Sequence, residues 1–155
     1  MSADAKLERS GFTLPAAPKP RGVYNPILII GDLAYLSGHG PLLEDGSFIT
    51  GRLGETMDLK AGYAAARQTG LALLATLRSS LGSLDRVKRL VKTLGVVNCT
   101  EDFAQQPQVI NGCSELFADI FGAENGVAAR SALGTNALPG GIPVEIEMIL
   151  EIENS

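Results

Sequence analysis

A change of hydrophobic period near residue 58 constrains this chain more than any other feature. From there Leu59, Tyr63, Ala66, Gly70, Leu73, Leu74, Leu77 and Leu81 recur at three or four residues. That spacing puts them on one face of a helix of 3.6 residues per turn. Asp58 suits the N-cap and Gly82 the stop, and Arg67 and Arg78 fall on the wet side. Elsewhere the period is two. In 144-VEIEMILEI-152, Glu145, Glu147, Ile149 and Glu151 share one face of a strand, continued by Glu153, while Val144, Ile146, Met148, Leu150 and Ile152 share the other.

The remaining elements follow from the same signals. Asn25–Ile30 and Leu33–Ser37 read as strands around a Gly31-Asp32 turn, and Ser47–Thr50 as a third short strand after Asp45-Gly46. Val87–Asn98 reads as a β segment with Lys88 and Lys92 on an edge or outer face and Leu94–Val97 buried on both faces. Pro107 sits in the first turn of a second helix that ends at Gly122, with Val109, Ile110, Cys113, Leu116, Phe117, Ile120 and Phe121 inward. Ser131–Thr135 and Val144–Glu153 close the chain as two strands. Residues 1–20 form an N-terminal extension: a short helix over Ala3–Arg9 capped by Ser2 and stopped by Gly11, then an extended connector imposed by prolines 15, 18 and 20. It either extends a subunit contact or covers a cleft. Residues 21–155 form a single α+β domain with two long helices on one face of a sheet. Apolar residues at both strand parities, as in YNPILIIG and VEIEMILEI, predict an oligomer in which the second sheet face is covered.

Composition excludes several functions. The 155 residues carry a formal charge of −4 and a pI near 5.0, which argues against a dedicated nucleic-acid binder. No apolar run has the ~18–20 residues of a membrane span, and the N-terminus lacks the apolar stretch of a secretory signal. Two cysteines, Cys99 and Cys113, read as reduced thiols of a cytoplasmic protein. With one histidine, no metal site is expected.

Arg130 is the first candidate for chemistry, a guanidinium between alanines in 128-AARSALG-134. If the last two strands pair antiparallel, Arg130 comes near Glu145. The pair is then either a salt bridge at a sheet end or a site, in which the guanidinium fork takes a planar carboxylate and Glu145 activates a water. Tyr24 is a core aromatic or a pocket wall. Asn111-Gly112, mid-helix, lowers helix propensity and so needs a reason: a buried amide with close packing, or an amide aimed at a ligand or subunit boundary. A hydrolytic set of Ser37, His39 and a carboxylate is set aside, because the first two are expected on opposite faces of a strand end.

Gly22-x-Tyr24, 36-LSGHGPL-42, the Ala-rich helix, 84-LDRVKRLVKTLGVVN-98, 109-VINGCSELFADIFG-122, 128-AARSALG-134 and 138-LPGGIPVEIE-147, in that order, resemble the RidA/YjgF family, which includes L-PSP-type members. The resemblance spans residues 20 to 153 and is strongest toward members with a longer N-terminus. It implies a chorismate-mutase-like fold and a homotrimer with three inter-subunit clefts. It also implies hydrolysis of 2-imino or enamine acids to 2-oxo acids and ammonia, with no cofactor. In that reading Arg130 grips the small ligand's carboxylate and Glu145 orients the water. Tyr24, Ser37, Gly38, His39 and Asn111 bind substrate. His39 stands where the family usually has Gln, Ala132 where the archetype has Cys, and Ala128 where it has Pro. The first two departures keep open a non-catalytic trimer that binds a small carboxylate as a sensor or protectant. The ribonuclease activity attributed to some L-PSP-type members fits the acidic charge poorly.

Overall fold

A computed structural model describes residues 1–154; Ser155, the last residue of the expected domain, lies outside the described residues. The chain runs α1 (Ala3–Ser10), β1 (Ile27–Ile30), β2 (Leu33–His39), α2 (Leu59–Leu81), β3 (Val87–Asn98), α3 (Gln106–Phe121), β4 (Ala129–Thr135) and β5 (Val144–Ile152), with single 3-10 turns at Leu84–Arg86 and Pro139–Gly141. The helices begin and end for local reasons. Asp58 accepts from the Ala61 N–H at 2.8 Å, and Gly82, at φ 82°, donates its N–H back to the Arg78 carbonyl. In α1, Ser2 caps and Gly11 stops, as expected.

The sheet order is β1-β2-β5-β3-β4, antiparallel except for the β3–β4 pair. Two crossovers build it. α2 carries the chain from β2 to β3 two positions away, leaving a slot that β5 later fills, and α3 carries it from β3 to the parallel edge strand β4. Both helices pack on the same face. There Val144, Ile146, Met148, Leu150 and Ile152 of β5 are buried with Leu73, Leu74, Leu77, Ile110 and Phe117 of the helices. The alternation in β5 is as the sequence predicts, with the glutamates on the opposite face.

Three expectations need correction. β4 and β5 do not pair; β3 lies between them, because its length and apolar character let it pair along both edges. Ser47–Thr50 is not a strand. Phe48 makes an isolated bridge to Leu42 around a turn in which the Ser47 N–H and hydroxyl both donate to the Asp45 carboxylate. Leu94 and Val96 are half-buried, since one face of the sheet is uncovered in a single chain.

That uncovered face exposes Leu28, Tyr35 and Leu133. The N-terminal extension does not cover it. Instead α1 docks at the far end of the helical layer, where the Asp4 carboxylate accepts from the Ser83 hydroxyl and the Leu84 N–H. The connector then crosses α2, with Phe12 beneath the Arg67 guanidinium, and returns to the sheet end at residues 16–24. No described helix is long and apolar enough to cross a membrane.

Candidate functional site

The expected site residues fall into two groups. The first forms around a β-bulge in β2. Leu36 pairs with Met148 and His39 with Ile146, so Ser37 and Gly38 together oppose Glu147 alone. The extra residue turns both Leu36 and His39 inward. Strict alternation would have put positions 37 and 39 on one side; the bulge is what sends them to opposite faces. Ser37 donates its hydroxyl to the Asn25 carbonyl at 2.6 Å and its N–H to Pro26, pinning the segment that carries Tyr24. Gly38 lies against Glu145: a β-carbon there would stand 2.9 Å from the Glu145 carboxyl carbon. With no positive φ at Gly38, the role of the glycine is clearance: a larger residue there would have to displace the Glu145 carboxylate.

Glu145, Tyr24, Ser37 and Gly38 line one cavity of about 630 Å³ together with Arg21, Phe48, Pro139 and Gly140. Among the described residues Glu145 forms no ion pair. Burial pushes its pKa up from the ordinary 4.5, and the negative charge of Glu147 adds to the shift. The carboxylate is thus a stronger base than one in water.

The second group lies at the sheet edge. Arg130 sits beside Thr93 on the helix-covered side of β4. One terminal nitrogen of its guanidinium donates to Asn111 Oδ1 at 2.8 Å and to Ser114 Oγ at 3.2 Å. Asn111 and Ser114 are three apart on α3 and so share a face. Both protons of that nitrogen are used, which orients the fork and leaves the opposite edge, Nε and Nη2, for a planar acceptor. The helix asparagine and its glycine are both explained. Asn111 holds Arg130, and Gly112 lets α3 approach α2 so closely that a β-carbon would stand 2.0 Å from the Tyr63 carbonyl oxygen. Ala132, where the resemblance leads one to expect cysteine, packs against the core.

Arg130 and Glu145 do not meet within one chain, as partners or as a site. They lie on opposite faces of the sheet, two strands apart and three register positions along, which is about 10 Å in each direction.

His39 also departs from expectation. Its ring is turned into the core, 5% exposed, away from the cavity. Nδ1 lies 2.6 Å from the Ser37 carbonyl, which can only accept, so Nδ1 carries the proton; Nε2 lies 2.8 Å from the Thr76 hydroxyl of α2. Burial lowers the His39 pKa from 6.5, opposed by the bond to Ser37. The unfolded chain therefore takes up a proton that the folded form refuses. Stability is fully present above about pH 6.5 and is lost as pH falls toward the lowered folded value. We expect His39→Gln, which can still bond both partners, to remove this dependence. The stability difference between variant and wild type should change by up to about 1.4 kcal/mol per pH unit below 6.5. Urea unfolding at several pH values reads it, and parallel curves would refute the assignment.

Two residues escaped the sequence reading. Ser114 could have been found from its spacing to Asn111. Arg21, the first residue of the expected domain, belongs to none of the motifs and directly follows the proline-rich connector.

The fold has known counterparts. The family described as "YjgF/chorismate mutase-like, putative endoribonuclease" matches residues 4–142. The protein TCP17 of Trypanosoma cruzi is 39% identical over 150 residues, covering 97% of this chain and 94% of that one. The crystal structure of Atu1372 from Agrobacterium tumefaciens, a protein of unknown function, superposes with a TM-score of 0.89 at 37% identity, covering 97% of this chain and 92% of the other. RidA from the Antarctic bacterium Psychrobacter sp. superposes with a TM-score of 0.60 at 25% identity, covering 88% of this chain and 94% of the other.

Proposed function

The chain belongs to the YjgF/chorismate mutase-like family, and from that premise we propose that it hydrolyses 2-imino acids and their enamine tautomers to 2-oxo acids and ammonia. Each site would be assembled from two copies of the chain. The observation that supports this most is the separation of two incomplete, complementary groups. Glu145 is an unpaired carboxylate of raised pKa beside a cavity, and Arg130 is an oriented guanidinium with one edge unused. A contact joining the β4–α3 edge of one copy to the open sheet face of the next unites them. Such a contact pairs unlike surfaces, and repeating it closes a ring when the rotation between copies divides a full turn; the family resemblance suggests three copies. The exposed Leu28, Tyr35 and Leu133 would be covered by it.

In this site the Arg130 edge takes the substrate carboxylate, which fixes the adjacent imine carbon near Glu145. Water attacks that carbon while Glu145 takes its proton. Glu145 returns that proton to nitrogen, giving the carbinolamine. The hydroxyl proton of the carbinolamine then passes by the same carboxylate to nitrogen as the C–N bond breaks, so imine plus water becomes oxo acid plus ammonia. The imine carbon is already electrophilic, so placement and one proton transfer do most of the work.

The test generates 2-imino acids in situ with an amino-acid oxidase and follows their capture by semicarbazide. We expect the protein to lower capture by hydrolysing the imine. Its rate should fall as pH drops through a value above 4.5, because protonated Glu145 cannot accept the water's proton. If no imine disappears faster while a small carboxylate still binds, the non-catalytic binding reading replaces this one.

A further inference from the structure

The Glu145 cavity is bordered by a charge that the mechanism above does not use. Arg21 ends the proline-rich connector, and its guanidinium carbon lies 4.7 Å from the centre of the Phe48 ring. Cation–π attraction holds the charge over the face of the ring. Among the described residues it forms no ion pair. Arg21 lines the Glu145 cavity and also a second cavity of about 390 Å³ behind it, and Tyr24, Gly38, Gly40 and Phe48 are common to both. The second cavity is walled by residues 16–20 of the connector on one side and the 38–48 loop on the other. Its lining includes Lys19 and Arg21 and no carboxylate, and burial disfavours the charged form of the one histidine there. Within a chain of net charge −4, two cations without an acid mark a local anion subsite.

Resting on the imine-hydrolase reading, we propose that Arg21 is a specificity-determining residue that binds a second, distal carboxylate. The favoured substrates are then 2-imino dicarboxylic acids. The α-carboxylate goes to Arg130 of a neighbouring copy, the imine carbon lies by Glu145, and the side-chain carboxylate reaches the Arg21 guanidinium, with Lys19 beyond it. The N-terminal extension thereby supplies part of the site as well as covering the helical layer.

The experiment compares imines made from aspartate and glutamate with those made from alanine and 2-aminobutyrate, using wild type, Arg21→Ala and Arg21→Lys. Losing a charge-assisted hydrogen bond predicts a roughly tenfold to hundredfold fall in kcat/KM for Arg21→Ala on the acidic imines. The neutral imines should change less than about twofold, and Arg21→Lys, which keeps the charge but not the fork, should fall between. Equal loss on both classes, or loss on neither, overturns the proposal. If wild type hydrolyses no imine, the function reading fails separately, and calorimetric binding of glutarate and butyrate still decides. Tighter glutarate binding that Arg21→Ala abolishes supports the subsite; equal binding of the two acids by wild type refutes it.

Discussion

Subunits carrying Arg130→Ala and subunits carrying Glu145→Gln, each inactive alone, should regain imine hydrolysis when they are unfolded and refolded together. The expectation follows from the distance between the two residues. They occupy opposite sheet faces within a chain, so under the proposed mechanism a complete site would take Arg130 from one copy and Glu145 from another. Alone, each variant should lose about 10²–10⁴ in rate, the range for removing a general base or a substrate-positioning charge. In an equal mixture, about a quarter of the interfaces join an intact Arg130 to an intact Glu145, so the mixture should recover roughly a quarter of wild-type activity. Sites contained within single chains would recover nothing.

Gly112→Ala should cost more stability than its chemistry suggests. In an exposed helix, alanine would stabilise by up to about 1 kcal/mol. Here the added carbon meets the Tyr63 carbonyl oxygen at 2.0 Å and the Arg67 backbone nitrogen at 3.1 Å, and backbone cannot swing aside as a flexible side chain does. The helices must separate, opening contacts between the Leu73/Leu74 and Ile110/Phe117 sides of the core. We expect a net loss of about 2 kcal/mol, and a fall in Tm of about 4–8 °C. An unchanged Tm would mean that α2 and α3 do not cross this closely. Asn111 precedes Gly112, so the shift should also misplace Arg130 and raise KM more than it lowers kcat.

The helices were legible in the sequence because their signals are local: Asp58 and Gly82 bracket one, and Pro107 and Gly122 the other. The inward and outward faces of β5 were legible for the same reason. Strand order was not, since the placement of β5 between β2 and β3 depends on pairings far apart along the chain. The bulge at Ser37–Gly38 was also hidden. Nothing in LSGHG announces the extra residue, and it alone decides that His39 belongs to the core. Asn111-Gly112 was visible as an anomaly, but its partners, Arg130 and Tyr63, come from elements that only the crossovers bring together. Arg21 was missed because it belongs to no motif; the prolines that precede it read as a spacer, whereas they deliver its charge to a fixed place.

With Arg130 and Glu145 divided between two faces, one copy of this chain would, in the proposed assembly, hold half of each of two sites. Under the proposed assembly, activity per unit of protein becomes a function of dilution. Below the subunit dissociation constant it falls though every chain stays folded, and it returns on concentration. A substitution on the open sheet face, such as at Tyr35, would then mimic a catalytic defect in dilute assays and disappear in concentrated ones. A substitution at Glu145 would not.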